Sequence, residues 1–161
     1  LKELPLDRLV EDLKGQLFDS GRLDAPDDYT DLLTAAAPVA AEKMQVLTEF
    51  WGLCGYLFTE PEVDPKAAAK WLTADQRQIL AAARAALASI DGEFSVAAVE
   101  KALEPLPEQF ELKPGKVFQP IRVALTGSTV SPGIYETVSL LGQDKTLARI
   151  DIALSSIPDL A

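Results

Sequence analysis

Apolar residues recur with the period of an α-helix along almost the whole chain. The first such stripe covers one face of a helix that begins near Pro5, with apolar residues at positions i, i+3, i+4, i+7 and i+11. These residues are Leu6, Leu9, Val10, Leu13 and Leu17. A half-buried strand needs apolar and polar residues to alternate, but only residues 117–118 and 123–124 look β-like, and both segments are too short. The sequence therefore predicts an all-α fold, a helical bundle or cage without internal repeats.

Capping residues, prolines and glycines predict where the helices begin and end. Thr73 and Gln76 have the spacing of a capping box. Ser131 followed by Pro132 is the clearest helix start, because serine caps helices and proline suits the first helical position. Residues 113–115 are expected to form a turn. The predicted helices cover about 5–20, 27–37, 39–58, 73–90, 95–106, 120–125, 131–141 and 145–154.

The segment from Thr59 to Pro65 interrupts the helical pattern. It holds two prolines and three acidic residues, a composition that is typical of a linker. The chain has 161 residues, which is long enough to bury a core, since a domain of about 150 residues removes roughly 70% of its unfolded surface from water. We therefore expect two packed helical subdomains, residues 1–58 and 59–161.

The composition excludes several kinds of active site. The chain has no histidine, so it cannot form a Ser-His-Asp triad, a Cys-His pair or a His-ligated zinc site. The one cysteine, Cys54, lies in an apolar helical segment, and we interpret it as a buried structural thiol rather than a nucleophile. No glycine-rich phosphate loop is present, and the acidic clusters at residues 27–28 and 60–64 are typical of solvated turns. We expect no catalytic residue and no metal site.

The charge is distributed unevenly along the chain, whose net charge is −10. Residues 1–112 carry 10 basic and 21 acidic side chains, whereas residues 113–161 carry 5 basic and 4 acidic ones. On composition alone, so acidic a chain is expected to repel nucleic acid over long range. Its C-terminal part, with nearly balanced charges, could tolerate a nucleic-acid partner. No apolar run reaches the roughly 20 residues that cross a bilayer, so no membrane partner is expected.

The C-terminal part nevertheless carries a series of motifs in a specific order. Residues 119–128 read Q-P-I-R-V-A-L-T-G-S, residues 131–136 read S-P-G-I-Y-E, and residues 140–150 read L-L-G-Q-D-K-T-L-A-R-I. This series resembles the C-terminal anticodon-binding region of bacterial glutamyl-tRNA synthetases, with its K-x-G-x-x-x-Q-P-L-R-x-A-L-T-G, [ST]-P-G-[LI]-[FY]-E and L-L-G-K-E-x-x-L-x-R-[LI] segments. Upstream, residues 47–50 and 56–60 are similar to the family's T-L-x-E-F and Y-L-F segments. The resemblance covers essentially the whole chain.

The same resemblance implies a helical reader of RNA without the catalytic part of the enzyme. The family's catalytic H-I-G-H signature needs histidine, and no K-M-S-K-S loop is present. The catalytic domain, which binds ATP and Mg²⁺ in the parent enzyme, is therefore expected to be absent, and no cofactor is expected for this region. The implied partners are the anticodon loop of tRNA-Glu and the catalytic domain of the same synthetase. We expect a cytoplasmic monomer that is inactive by itself.

The resemblance also implies anticodon-binding roles for residues at matching positions. Arg122 is implied to contact an anticodon base, and its planar fork of donors suits the acceptor edge of a pyrimidine. Tyr135 offers a stacking face worth about 1–3 kcal/mol per base. The loop implied to hold the first two anticodon bases comprises Ser131, Pro132, Gly133, Ile134 and Tyr135.

Each of these residues also has a purely structural interpretation. Arg122 would pair with a surface carboxylate, residues 131–133 would form a plain helix cap, and Tyr135 would be a half-buried packing residue. Lys43 matches a position at which the family often has an arginine that reads the third anticodon base. Lysine lacks the guanidinium fork, so it would separate tRNA-Glu from tRNA-Gln less strictly. A solvated surface lysine is the alternative.

The sequence leads to one functional hypothesis and two rivals. The hypothesis is an anticodon-binding domain of a class I glutamyl-tRNA synthetase, which recognises tRNA-Glu so that the parent enzyme attaches glutamate to it. The acidic net charge predicts weak binding with few phosphate contacts and a shallow salt dependence. The rivals are an acidic helical protein–protein interaction module without RNA binding, and a small enzyme that uses carboxylates or magnesium.

Overall fold

The structure, a computed structural model, describes residues 4–59, 63–129, 131 and 133–157. Every regular element within these residues is helical, which confirms the all-α prediction. The chain divides into two compact units, Leu1–Thr59 and Glu60–Ala161. The α-helices of the described residues are α1 (Leu6–Asp19), α2 (Thr30–Ala41), α3 (Phe50–Cys54), α4 (Pro65–Trp71), α5 (Arg77–Ala88), α6 (Val96–Leu103), α7 (Leu106–Gln109), α8 (Pro114–Thr126), α9 (Ile134–Leu141) and α10 (Gln143–Ser156). Short 3₁₀ turns lie at Pro26–Tyr29, Leu47–Glu49, Gly55–Leu57 and Ala74–Gln76.

In the first unit, α1 packs against α2 through the stripe that the sequence predicts. Leu9, Val10, Leu13 and Leu17 are buried, whereas Leu6 is 41% exposed. The buried face of α1 therefore begins at Leu9, about one turn after the start of the helix.

The prediction that a helix ends before Pro38 is wrong, because α2 continues to Ala41. Pro38 has no N–H, so the carbonyl of Thr34 loses its helical partner. Both residues are exposed, so water can reach that carbonyl. Packing of the buried face outweighs the loss of one hydrogen bond. That face consists of Leu33, Ala36, Ala37, Ala40 and Ala41.

The prediction of one long helix over residues 39–58 is also wrong. After α2, the carboxylate of Glu49 accepts the backbone N–H of Gln45 at 2.6 Å, and Val46 between them is extended. This local hydrogen bond competes with the helical one, so the chain restarts in short turns and in α3.

An aromatic cluster around Phe58 completes the first unit. The centroid of the Phe58 ring lies 5.2 Å from that of Tyr29 and 5.8 Å from that of Trp51, with the Trp51 ring stacked on it. The guanidinium carbon of Arg22 lies 5.6 Å from the Trp51 ring. Each pair of aromatic rings contributes about 0.5–1.5 kcal/mol beyond the free energy gained by burying its surface.

In the second unit, α5 and α10 form an antiparallel pair that is tied at both ends. Arg77 Nη1, at the start of α5, donates to the carbonyl of Leu154 at 2.7 Å near the end of α10. Gln143 Nε2, at the start of α10, donates to the carbonyl of Leu87 at 2.9 Å near the end of α5. Helices α6, α8 and α9 pack around this pair. The residues that this core buries completely include Leu80, Leu87, Val99, Leu103, Ile121, Leu125, Val138 and Ile150.

Two predicted helix starts are confirmed by local hydrogen bonds. The N–H of Thr73 donates to Gln76 Oε1 at 3.0 Å, and the chain passes through one 3₁₀ turn into α5. Ser95 Oγ accepts the N–H of Ala98 at 3.1 Å at the start of α6. Both signals act between residues three positions apart, so the sequence alone reveals them.

Helix α4 has no counterpart among the predicted helices. Its cap is Asp64, whose Oδ2 accepts the N–H of Ala67 at 3.3 Å, and Pro65 takes the first helical position. The interpretation of residues 59–65 as a linker treated this proline as a breaker, whereas at the first position its missing N–H costs nothing.

Helix α8 begins at Pro114, so the predictions of a turn at residues 113–115 and of a helix start at Pro120 are wrong. Lys113 is extended, and Pro114 takes the first helical position. Pro120 is buried inside the helix, and the carbonyl it leaves without a partner belongs to Lys116, an exposed residue that water can reach. Residues 114–126 therefore form one continuous element.

Helices α9 and α10 meet at Gly142. This residue ends α9 with φ of 84°, in the left-handed region that glycine tolerates, as the sequence predicts. Helix α10 begins at the next residue, two positions earlier than predicted.

Candidate nucleic-acid interface

Arg122 lies near the end of α8 with its side chain half-buried. Its Nε donates to Ser131 Oγ at 2.8 Å, and its Nη1 donates to Gln119 Oε1 at 3.2 Å. Gln119 precedes Arg122 by three positions on the same helix, so the two side chains are neighbours on its surface. These two hydrogen bonds orient the guanidinium plane.

Ser131 does not cap a helix, contrary to the sequence prediction. Helix α9 begins at Ile134, with Gly133 as the flanking residue and no side-chain cap. The hydroxyl of Ser131 instead accepts the bond from Arg122, and the residue is 1% exposed. A charged donor makes a stronger hydrogen bond than a backbone N–H, which is why the hydroxyl pairs with the arginine. Pro132 lies outside the described residues.

Hydrogen bonds hold the turn that follows α8. Thr126 Oγ1 donates to the carbonyl of Arg122 at 2.9 Å and accepts the N–H of Ser128 at 3.2 Å. Gly127 has φ of 78°, which favours glycine, and its carbonyl accepts the N–H of Asp64 at 2.8 Å. The path of the chain beyond Arg122 is therefore anchored by both side-chain and backbone contacts.

Arg149, on α10, secures the same end of α8 from the interior. It is 6% exposed, and its Nη1 donates to the carbonyl of Leu125 at 2.8 Å. That carbonyl lies in the last turn of the helix, where intrahelical partners are missing and a positive charge is favourable. Arg149 is not among the site residues predicted from the sequence, although the segment L-A-R-I that contains it lies in the family motif.

Tyr135 lies in the first turn of α9 and is half-buried. Its ring meets that of Phe118 on α8 edge to face, with centroids 5.9 Å apart. Burial raises the pKa of the Tyr135 phenol, and the charges of Glu100, Glu104 and Glu136 raise it further. Three carboxylates near one ring disfavour an approaching phosphate, whereas they leave a neutral base free to stack.

The two remaining loop residues contribute through packing and backbone. Ile134 is 6% exposed, so its side chain belongs to the core of the unit. The carbonyl of Gly133 accepts the N–H of Thr137 at 2.9 Å, and a Cβ at Gly133 would collide with the carboxylate of Glu136. A side chain at position 133 would therefore require the carboxylate of Glu136 to move.

Lys43 lies in the first unit, two residues after the end of α2, and is exposed. Its backbone N–H donates to the carbonyl of Ala40 at 2.9 Å. Arg122, Ser131 and Tyr135 all lie in the second unit, where α8 and the start of α9 bring them into one region. Lys43 therefore belongs to a different unit from these three residues.

Sequence reasoning missed two side chains that support the site. Gln119 lies in the family motif, and its spacing of three from Arg122 is a signal that could have identified it. Phe118 contacts Tyr135 across two helices, and no local spacing reveals such a contact.

Cys54 is fully buried, as predicted. Burial raises the pKa of its thiol to about 12, so the group is protonated at neutral pH and is not nucleophilic. Within residues 4–59, 63–129, 131 and 133–157, no group of three or more cysteine or carboxylate side chains is arranged to hold a metal ion. In the same residues, no helix combines the length and the apolar character that spanning a bilayer requires.

Comparison with known families matches residues 8–154 to the anticodon binding domain. The chain belongs to the anticodon binding domain family. Among its relatives, the glutamate–tRNA ligase of Anaeromyxobacter sp. (strain K) is 42% identical over 137 residues, which are 85% of this chain and 28% of that protein. The glutamate–tRNA ligase of Nocardioides sp. (strain ATCC BAA-499 / JS614) is 38% identical over 160 residues, which are 96% of this chain and 32% of that protein. The anticodon-binding domain therefore spans less than a third of these relatives, and the resemblance drawn from its motifs is confirmed.

Solved structures share its fold. A glutamate–tRNA ligase from Elizabethkingia meningosepticum CCUG26117, crystallised with its amino acid, matches 95% of this chain over 30% of its own, with a TM-score of 0.76 and 20% identity. The glutamate–tRNA synthetase of Elizabethkingia anophelis matches 97% of this chain over 30% of its own, with a TM-score of 0.74 and 22% identity. At these identities, the likeness establishes the helical architecture of the anticodon-binding domain.

Proposed function

We propose that this domain reads the anticodon loop of tRNA-Glu, so that a parent glutamate–tRNA ligase attaches glutamate to that tRNA. The observation that carries the proposal is the guanidinium of Arg122, which Gln119 and Ser131 orient on a rigid helix of an anticodon binding domain. The relatives that are 42% and 38% identical are glutamate–tRNA ligases, which supports the choice of tRNA.

In this proposal, the loop bases splay outward and are recognised as single-stranded RNA. The planar donors of Arg122 pair with the acceptor edge of one pyrimidine, and their orientation is set before RNA binds because two hydrogen bonds already hold them. A second base stacks on Tyr135, whose ring is braced by Phe118. The buried hydroxyl of Ser131 is a positioning group that acts through Arg122.

The parent enzyme supplies what this domain lacks. In the proposal, the catalytic domain of the same synthetase is a partner and binds ATP and Mg²⁺, whereas the anticodon-binding domain holds no cofactor. The net charge of −10 supports weak binding by the domain alone, so the tRNA is held jointly with the catalytic domain. The proposed molecule is a cytoplasmic monomer.

The replacement Arg122→Ala tests the proposal. Loss of the guanidinium removes the base contact, so discrimination between the glutamate anticodon and an altered one falls by about 1–3 kcal/mol. The measurement is an NMR titration of the chain at low salt with anticodon stem-loop RNAs, one cognate and three that each carry one changed base. When the unsubstituted chain binds the cognate RNA, changes of NMR chemical shift are expected at Arg122 and in the segment 131–135, which includes Tyr135.

Arg8→Ala is the matched control, because Arg8 is an exposed arginine of α1 that pairs with Asp12 at 3.4 Å. This control removes one positive charge without touching the site, so it should leave anticodon discrimination unchanged. Equal discrimination by the Arg122→Ala and Arg8→Ala variants would contradict the role of Arg122. Binding that ignores the anticodon sequence in the unsubstituted chain would instead favour the protein–protein interaction module.

A further inference from the structure

A tryptophan with two lysines beside it lies outside the proposed base-reading residues. Trp71, half-buried at the end of α4, has Lys70 Nζ at 5.0 Å and Lys116 Nζ at 5.4 Å from its ring centroid. Lys66 precedes Lys70 by one turn on α4. Lys113 is the extended residue that flanks the start of α8, three positions before Lys116. We call these five residues the lysine–tryptophan patch.

The lysines of this patch are not neutralised. All four are exposed, and within the part of the chain that the structure describes none of them forms an ion pair. By contrast, Lys14 and Arg84 each pair with an aspartate. Asp75 lines the same shallow concavity as Trp71 without pairing with a lysine. Among the described residues, this cluster of positive charge thus has no ion-pair partner, in a chain that holds 25 acidic residues.

The arrangement at the ring favours an anionic ligand. Two ammonium groups near one ring place positive charge on the same exposed surface, and each gains only about 0.5–1 kcal/mol from its cation–π attraction to the ring. An anionic group bound beside them would be attracted by both charges. Because the ring already holds the lysine chains in place, less side-chain entropy is lost when an anion binds.

We propose that the lysine–tryptophan patch binds the sugar–phosphate backbone of the RNA whose anticodon loop Arg122 reads. The inference rests on the proposed function, since it takes RNA as the partner. Lys116 and Arg122 are six residues apart on α8, which is about 9 Å along the helix axis. Lys116 of the patch and Arg122 are therefore carried by the same helix of the second unit.

The patch would position the RNA without reading its sequence. Contacts to phosphates fix register and orientation, whereas contacts to base edges carry sequence information. The division matches the charges of the two regions, because the negative charges of three glutamates act on Tyr135, whereas the patch itself contains four lysines. It also explains how a chain of net charge −10 can hold a polyanion through few contacts.

The test compares the full chain with the double variant Lys70→Gln/Lys116→Gln. The control is Lys101→Gln/Lys145→Gln, which removes two exposed lysines of the same unit that lie outside the patch. Affinity for a tRNA-Glu transcript and for a transcript with an altered anticodon is measured by fluorescence anisotropy between 50 and 200 mM salt. Circular dichroism establishes that each variant remains helical.

Each phosphate-contacting lysine contributes about 1 to the slope of log affinity against log salt, so the patch variant should lower the slope by about 2. The loss of affinity between 50 and 200 mM salt then becomes about 16-fold smaller. Both transcripts should weaken by the same factor, with the cognate-to-altered ratio unchanged. A patch variant with the slope and affinity of the control variant would overturn the inference.

This experiment can contradict either proposal without contradicting the other. The ratio between the transcripts in the unsubstituted chain reports anticodon reading, and the slope of the patch variant reports backbone binding. Equal binding of both transcripts, with a slope that falls in the patch variant, upholds the patch and overturns anticodon reading. The absence of binding to either transcript at any salt concentration overturns both.

Discussion

The hydroxyl of Ser131 accepts a hydrogen bond from a charged donor at a place where it is almost completely buried. Burial shields this bond from water, so the bond holds Arg122 Nε more firmly than a surface contact would. Gln119 holds Nη1 from the other side at 3.2 Å. Two neutral side chains, one from the same helix and one from the following loop, thus help to orient this arginine.

The replacement Ser131→Ala is expected to lower anticodon discrimination without removing the arginine. A typical hydrogen bond contributes about 0.5–1.5 kcal/mol, so the loss should be smaller than the loss caused by Arg122→Ala. The measurement is the same stem-loop titration, with circular dichroism to establish that the helices persist.

Ser131→Thr is the matched control, because threonine keeps the hydroxyl and differs by one methyl group. Discrimination close to that of the unsubstituted chain is expected for this variant. If the alanine and threonine variants discriminate equally, the hydroxyl does not orient Arg122.

At the scale of helices, two prolines lie inside α2 and α8 where the sequence predicts boundaries. Each proline removes one helical hydrogen bond, yet the carbonyl left over belongs to an exposed residue, Thr34 or Lys116. Pro38 is exposed, whereas Pro120 is buried in the second unit. Pro120 therefore contributes to the packing of α8, whereas Pro38 contributes nothing to the packing of α2.

This difference predicts opposite outcomes for replacement by alanine. Pro38→Ala restores a hydrogen bond at no packing cost, so the free energy of unfolding should rise by about 1–3 kcal/mol. Greater freedom of the unfolded chain reduces this gain. Pro120→Ala restores a bond but removes a buried ring, so its gain should be smaller or negative.

Denaturant unfolding followed by circular dichroism measures both variants against the unsubstituted chain. Equal changes in unfolding free energy for Pro38→Ala and Pro120→Ala would show that burial of the proline ring does not decide the outcome.

At the scale of the whole molecule, the chain divides into the units Leu1–Thr59 and Glu60–Ala161. The second unit buries residues from α5, α6, α8, α9 and α10 in one core, and α5 and α10 are tied at both ends. The assignment of residues 1–58 and 59–161 as two anticodon-binding subdomains stays a prediction.

A fragment of residues 63–157 is expected to fold by itself, because its core is complete within the unit. It should be helical and unfold cooperatively on heating, as followed by circular dichroism. A fragment of residues 4–59 should melt at a lower temperature, since a domain of about 60 residues buries a smaller share of its surface. An unfolded 63–157 fragment would show that its core requires the first unit.

The sequence by itself determined the helical class, the capped helix starts at Thr73 and Ser95, the glycine at position 142 and the family. Each of these follows from the spacing of residue types within a few turns, where the interacting groups are neighbours along the chain. The lack of histidine likewise excludes whole classes of catalysis, because no arrangement of the chain can supply a missing imidazole.

Only the tertiary structure decided which prolines interrupt a helix and which partner each polar side chain takes. Pro38 and Pro120 are tolerated because packing on a buried face outweighs one missing hydrogen bond. Ser131 bonds to Arg122 rather than to its own helix because folding brings a charged donor within 2.8 Å. Such choices depend on packing and on contacts between different elements, about which the spacing of residue types within one helix carries no information.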